Sequence, residues 1–228
     1  MPEPHPSRPL TGLIDYGAGN LQSVNNALLS LGESARIVRT PADLEGISRL
    51  ILPGVGSFGD CAANLDAQDL RKPILQWLRK GRPYLGICLG YQILFEESAE
   101  SPGVAGLGFL AGRVERFAPH AGLKVPHMGW NTAEPTDPSH PMWRSLGDDS
   151  PPWFYFVHSF FPVPGDPHVV ASHTLYGAPF ASAIATGGLW AVQFHPERSQ
   201  DNGLTLLRNF LDHTKAPSPG YETPSRVP

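Results

Sequence analysis

The chain has 228 residues, 41% of them hydrophobic and 17% charged, with a formal net charge of −4 and only two cysteines, Cys61 and Cys88. That length supports one generous domain or two small ones. The mild charge, without a Lys/Arg cluster interleaved with aromatics, gives no footing for nucleic acid. Two cysteines are too few for a secreted disulfide framework. "MPEPHPSRP" has no apolar signal region, and no segment nears the roughly 18 apolar residues of a membrane helix. The expectation is a cytoplasmic protein that binds neither nucleic acid nor membrane.

Prolines crowd residues 1–9 and 216–228. Both ends therefore read as flexible tails around one domain over 10–215. "LTGLID" (10–15) predicts a buried strand. "NLQSVNNALLSLG" (20–32) then places Leu21, Val24, Leu28 and Leu31 on one helical face, with Gly32 as the stop. Strands follow at 35–39 and 49–53, a helix at 69–81, and a strand at 83–87 that runs directly into a helix over 89–97. This alternation argues for a parallel sheet covered on both faces. Beyond residue 100 strands dominate, at 108–117, 124–131, 153–161, 169–177 and 180–195, before a last helix over 202–215 capped by Asn202. The Pro-rich stretch 134–152 reads as a surface excursion. The predicted class is α/β: a mostly parallel sheet flanked by helices, with a small added antiparallel sheet.

The strand-to-helix step carries "YLGICLGYQ" (84–92), which sets Cys88 between Gly86 and Gly90. A nucleophile elbow needs this arrangement: a strained turn lifts one side chain from the top of the sheet, and positions two before and two after must be small. A following helix start favours thiolate, and the Leu89 N–H is placed to bind an oxyanion. The other reading is a small buried residue between packing glycines, and Cys61 is read that way. Of nine histidines, His195 in "WAVQFHPERS" stands out because an apolar strand ends at Phe194, at the edge where α/β sheets build sites. Glu197, two residues on, can fix its tautomer. The glycine-dense "LPGVGSFGD" (52–60) lacks the Lys of a phosphate loop. It is better assigned to the second wall of an oxyanion hole through Gly54, Val55 and Gly56. No His/Cys/carboxylate cluster has metal-ligand spacing, so neither metal nor cofactor is expected.

These pieces, in the order Cys–His–Glu, resemble the class I (triad-type) glutamine amidotransferases. "DYGAGNLQSV" (15–24), "PGVGSFGD" (53–60), "GICLGYQILFEES" (86–98), "GLGFLAGRV" (106–114), "KVPHMGWN" (124–131), "YFVHSF" (155–160) and "QFHPERS" (193–199) narrow the likeness to the glutaminase subunits of imidazole glycerol phosphate synthase. The resemblance spans roughly residues 10 to 213. It departs from the family pattern at Tyr91, Phe160 and Arg198, where Met, Tyr and Lys are common.

The resemblance implies that Cys88 attacks the side-chain amide of L-glutamine, His195 protonates the leaving ammonia, and Glu197 orients His195. It further implies that Gln92, Glu96, His158, Ser159 and Phe160 line the glutamine pocket. Lys124, Trp130 and Asn131 would face the partner, a (βα)8-barrel cyclase. That cyclase uses the ammonia to make imidazole glycerol phosphate and an aminoimidazole carboxamide ribotide. Rival readings are the glutaminase of pyridoxal phosphate synthesis, the peptidase branch of the same fold, and an inactive scaffold that only binds a barrel. The first typically has Gly-Gly-Glu-Ser where this chain reads "PGVGSF"; the second has His after the nucleophile, where this chain has Leu89. Loss of ammonia release in Cys88→Ala would exclude the third.

Overall fold

A computed structural model describes residues 10–17, 19–118, 123–147 and 150–214; the expected tails lie outside them. The first half runs β1 (Thr11–Ile14), α1 (Leu21–Ser30), β2 (Ala35–Val38), β3 (Arg49–Leu52), α2 (Phe58–Ala67), α3 (Arg71–Arg79), β4 (Tyr84–Ile87) and a short α4 (Leu89–Gln92). β1, β3 and β4 are buried at every position, so they read as compact apolar runs rather than alternations. The second half adds β5 (Glu97–Ser98), β6 (Gly112–Arg116), β7 (His127–Thr132), β8 (Glu134–Pro135), β9 (Trp153–His158) and β10 (Phe160–Pro164). β11 (Val170–Tyr176), β12 (Ala178–Thr186), β13 (Leu189–Val192) and α5 (Gln200–His213) complete it.

The main sheet has eight strands in the order β2-β1-β3-β4-β13-β12-β11-β8. The first five are parallel, and β12, β11 and β8 extend the sheet antiparallel. Two small sheets, β10-β6-β5 and β7-β9, stand apart from it. Successive strand residues face opposite sides. Leu13, Ile51 and Leu85 join α1 and α5 residues such as Val24, Leu28 and Leu207 in one core. Ile14, Leu50 and Tyr84 join α2 and α3 residues such as Leu65 and Ile74 in the other, where Cys61 is also buried.

At the starts of β1 and β3, the buried Arg49 is fully engaged. Its Nη2 lies 2.7 Å from Glu33 Oε1, its Nε donates to Thr11 Oγ1 at 2.7 Å, and its Nη1 donates to the Leu211 carbonyl of α5 at 2.8 Å. Burying these charges is tolerable because each guanidinium nitrogen has an acceptor and the Glu33 carboxylate answers the charge.

Several elements differ from the sequence reading. The helix expected over 89–97 stops at Gln92. Leu94 and Phe95 already bond three residues back, and the carbonyls of Ile93 to Glu96 accept from residues 106–110 instead of continuing the helix. The strand expected over 153–161 breaks at Ser159 into β9 and β10, which lie in different sheets; that over 180–195 is a hairpin turning at Gly187 and Gly188. α2 starts at the end of the glycine-dense stretch 52–60 and runs on to residue 67, where no element was expected, with Ser57 Oγ accepting from the Asp60 N–H. α5 begins before Asn202, whose side chain instead donates to the Trp153 carbonyl at 3.1 Å. The 134–152 excursion sends Met142 and Trp143 into the core.

Candidate active site

β3, β4 and β13 are neighbours in register, with Leu52 opposite Gly86 and Val192 opposite Ile87. The three connections leaving their C-terminal ends therefore converge. Cys88 follows β4 directly, at φ +53°, ψ −102°, a backbone state that costs a non-glycine residue about 1–3 kcal/mol and that tight packing must enforce. That packing is visible in the two glycines. A Cβ at Gly86 would run into the Gly90 carbonyl, and one at Gly90 into the Leu52 carbonyl of β3. The backbones touch, so only glycine fits.

From β13 the chain leads through Gln193 to His195, which is fully buried. Its Nδ1 lies 2.8 Å from Glu197 Oε1. An ionised carboxylate only accepts, so Nδ1 carries a proton; Nε2 has no hydrogen-bond partner among the described residues. Burial pushes the imidazolium down, but the negative charges of Cys88 and Glu197 outweigh it and hold His195 well above its usual range. Triads without substrate are often loose and tighten in the reactive complex.

Two further side chains belong to this constellation and were not singled out from sequence. Asn20, at the end of the "DYGAGN" turn before α1, donates to Glu197 Oε1 at 3.1 Å. Gln193 Nε2 lies 3.6 Å from Cys88 Sγ as a donor, and its Oε1 accepts from Gln92 Nε2 at 3.2 Å. Asn20 lay in a quoted motif and Gln193 two residues before the histidine, but neither partner is near in sequence.

A cavity of about 300 Å³ opens beside Cys88. Val55, Gly56, Leu89, Gln92, Glu100, His158, Ser159 and Phe160 line it. Glu96, expected there, is exposed and accepts from the Gly112 N–H at 2.9 Å; because α4 ends early, Glu100 takes the place on the cavity wall. Gly54 packs against Leu89, and its carbonyl accepts weakly from the Leu89 N–H at 3.5 Å. That peptide thus aims oxygen, rather than N–H, at the expected oxyanion position. Lys124 and Trp130 are exposed and Asn131 is half-buried. On β7–β9, Met128 and Trp130 share the outward face with Trp153, all largely uncovered. Among the described residues no group of three or more His, Cys, Asp or Glu is placed to hold a metal, and no helix is long and apolar enough to cross a membrane.

The sequence model of the family described as glutamine amidotransferase class-I matches residues 12–214. The chain belongs to the class-I glutamine amidotransferases. It is 44% identical over 211 residues to the imidazole glycerol phosphate synthase subunit HisH of Synechococcus elongatus, covering 92% of this chain and 96% of that one. It is 46% identical over 207 residues to the HisH subunit of Methylococcus capsulatus, covering 87% and 94%. Among solved structures, a chain of PurLQS from Thermotoga maritima superposes with a TM-score of 0.73 at 20% identity, over 91% of this chain and 100% of that one. That likeness speaks to the amidotransferase fold alone.

Proposed function

We propose that this amidotransferase is the glutamine-hydrolysing subunit of imidazole glycerol phosphate synthase in histidine biosynthesis. It releases ammonia for a (βα)8-barrel cyclase subunit in the cytoplasm. The observation that carries the chemistry is the convergence of a strained Cys88 with the His195–Glu197 pair at the ends of adjacent strands β4 and β13. The HisH identities carry the pathway.

In this reading Cys88 Sγ attacks the amide carbon of glutamine in the 300 Å³ cavity while Gln92, Glu100 and the His158–Phe160 stretch hold the substrate. His195 Nε2 delivers the proton that lets ammonia leave, then removes one from the water that hydrolyses the thioester. Glu197 holds the tautomer throughout, and Asn20 holds Glu197. The Leu89 N–H is one oxyanion donor. The other is the Val55 N–H, once the Gly54–Val55 peptide turns its oxygen away from Leu89. A missing oxyanion donor costs about 3–4 kcal/mol of transition-state stabilisation. A partner that prefers the turned peptide by ~3 kcal/mol therefore activates the enzyme about a hundredfold. The outward apolar face of Met128, Trp130 and Trp153, with Lys124 nearby in sequence, is the docking side.

The test is ammonia release from glutamine by the chain alone, then with a cyclase subunit and its nucleotide ligand, each repeated with Cys88→Ala. Low basal activity, a large rise with the partner and none in the variant are expected. Full activity alone with no response to the cyclase would remove the partner; activity surviving in the variant would remove the nucleophile.

A further inference from the structure

On the buried face of the β7–β9 ribbon, the chemistry of the end groups fixes a row of protons. His127 and His158 sit opposite each other in register, with His127 Nδ1 3.1 Å from His158 Nε2. The other nitrogen of His158, Nδ1, lies 2.8 Å from the Phe160 carbonyl. A carbonyl only accepts, so His158 carries its proton on Nδ1 and accepts at Nε2. His127 must then donate from Nδ1 and accept at Nε2, where Asn131 Nδ2 approaches to 3.3 Å. The Asn131 amide is oriented independently: its Nδ2 donates to the Leu175 carbonyl at 3.0 Å and its Oδ1 accepts from the Thr132 N–H at 2.8 Å. Both ends thus dictate the same direction.

Three hydrogen bonds need three protons. The two neutral imidazoles supply two and Asn131 supplies the third. Burial holds both histidines below their usual range, His127 at about 4 and His158 at about 3, so at neutral pH neither has a proton to spare. Their titratable neighbours are Tyr176, stacked on His127, and His195, whose charge disfavours protonation of His158. The Phe160 carbonyl at the inner end also accepts from Gln92 Nε2 at 2.9 Å. Gln92 in turn leads through Gln193 to the Cys88 sulfur.

We propose that Asn131, His127 and His158 form a relay of three oriented hydrogen bonds, in which each proton stays on its own nitrogen, from the half-buried edge of β7 to the cavity wall. An acceptor group on a protein partner that turns the Asn131 N–H away from His127 leaves His127 Nε2 without its donor, and the change is felt along the row at the Phe160 carbonyl. His127 is a positioning residue: it touches no substrate and acts by fixing the proton of His158. What the relay transmits rests on the amidotransferase reading; the proton positions do not.

The experiment is nitrogen-15 NMR of the histidines in the full chain at pH 7.5, with resonances assigned through His127→Gln and His158→Gln. Both rings are expected neutral and protonated on Nδ1; a proton on Nε2 of either would overturn the relay. In Asn131→Asp a carboxylate replaces the donor, so the two histidines must supply all three protons. One of them becomes doubly protonated at neutral pH. Asn131→Leu removes the donor without adding an acceptor and leaves both rings neutral. Two neutral rings with unchanged tautomers in the Asp variant would refute the proposal. Glutamine titrated into the Cys88→Ala chain carrying each change separates transmission from packing: about a fivefold weakening is expected with Asp and less than twofold with Leu. Equal weakening in both would overturn the transmission. Absence of glutamine binding even with Asn131 intact would instead count against the amidotransferase reading, while the NMR result still decides the relay.

Discussion

Replacing Glu197 by Gln separates the charge of the triad acid from its hydrogen-bonding geometry. Asn20 Nδ2 and His195 Nδ1 both donate to the same oxygen, Glu197 Oε1, at 3.1 and 2.8 Å. A Gln in this place must put its amide oxygen there, because turning would set its NH2 against two donors. The His195 tautomer is therefore kept and only the charge is lost. A hydrogen bond to a charged group is worth about 1.5–3 kcal/mol and a neutral one about 0.5–1.5, a difference of about 1–2 kcal/mol. At tenfold per 1.36 kcal/mol, kcat/KM should fall roughly 5- to 30-fold. Removing Asn20 as well frees the amide to turn and donate to Nδ1, which puts the proton on Nε2 and disables the base. Tautomer reversal of this kind costs on the order of 10⁴ in a comparable triad. Asn20→Ala alone should cost only a few-fold, since a carboxylate has no wrong orientation. The assay is glutamate formation with the cyclase and its ligand saturating. A double variant no worse than the product of the single changes, or a 10⁴ loss in Glu197→Gln alone, would refute the reasoning.

Gly90→Ala would drive a methyl into the Leu52 carbonyl, a backbone atom of β3 that cannot swing aside. A loss of about 3 kcal/mol or more in urea unfolding is expected, and an unchanged midpoint would contradict the packing of the elbow. Gly56 sits at φ +113° with nothing among the described residues within 4 Å of an added Cβ, so Gly56→Ala strains the loop by about 1–2 kcal/mol without a clash there. Basal and cyclase-stimulated ammonia release should change in different proportion; an equal change in both would sink the two-state peptide. Gly54→Ala is a poorer probe, because its methyl would meet the Tyr16 hydroxyl and Leu89. The depressed His127 and His158 give an acid limb of known sign. The unfolded state takes up protons near pH ~6.5, while the folded state resists until about 4 and about 3. Stability is thus retained above pH ~6.5 and falls as pH drops towards 4. In His127→Gln the fall should be shallower by one proton, as read from urea midpoints against pH; an identical slope would argue against a neutral His127.

The parallel half of the fold was legible because β1, β3 and β4 are buried throughout and α1 and α3 each show an apolar face. The elbow was legible because contact between backbones admits only glycine at positions 86 and 90, and that restriction is written in the spacing. α2 was hidden by the glycine-rich stretch ahead of it, although Ser57 and Asp60 carried its start signal. Continuing α4 through residue 97 keeps Glu96 on the face of Gln92. The chain leaves the helix because its carbonyls find partners at 106–110, a long-range choice that local pattern does not encode. Asn20 and Gln193 were missed for a similar reason. Their roles exist only once α1 meets the turn after β13 and once β13 lies beside β4.

The Arg49 clasp has a practical corollary. It ties the last turn of α5, through the Leu211 carbonyl and Thr214 Oγ1, to the first residues of β1 and β3. Cys88 and its cavity stand at the other rim of the same sheet, beyond the strand ends. Thr214, the last described residue, therefore stands at the rim opposite the catalytic one. A surface linkage placed at that rim leaves the substrate mouth facing solution.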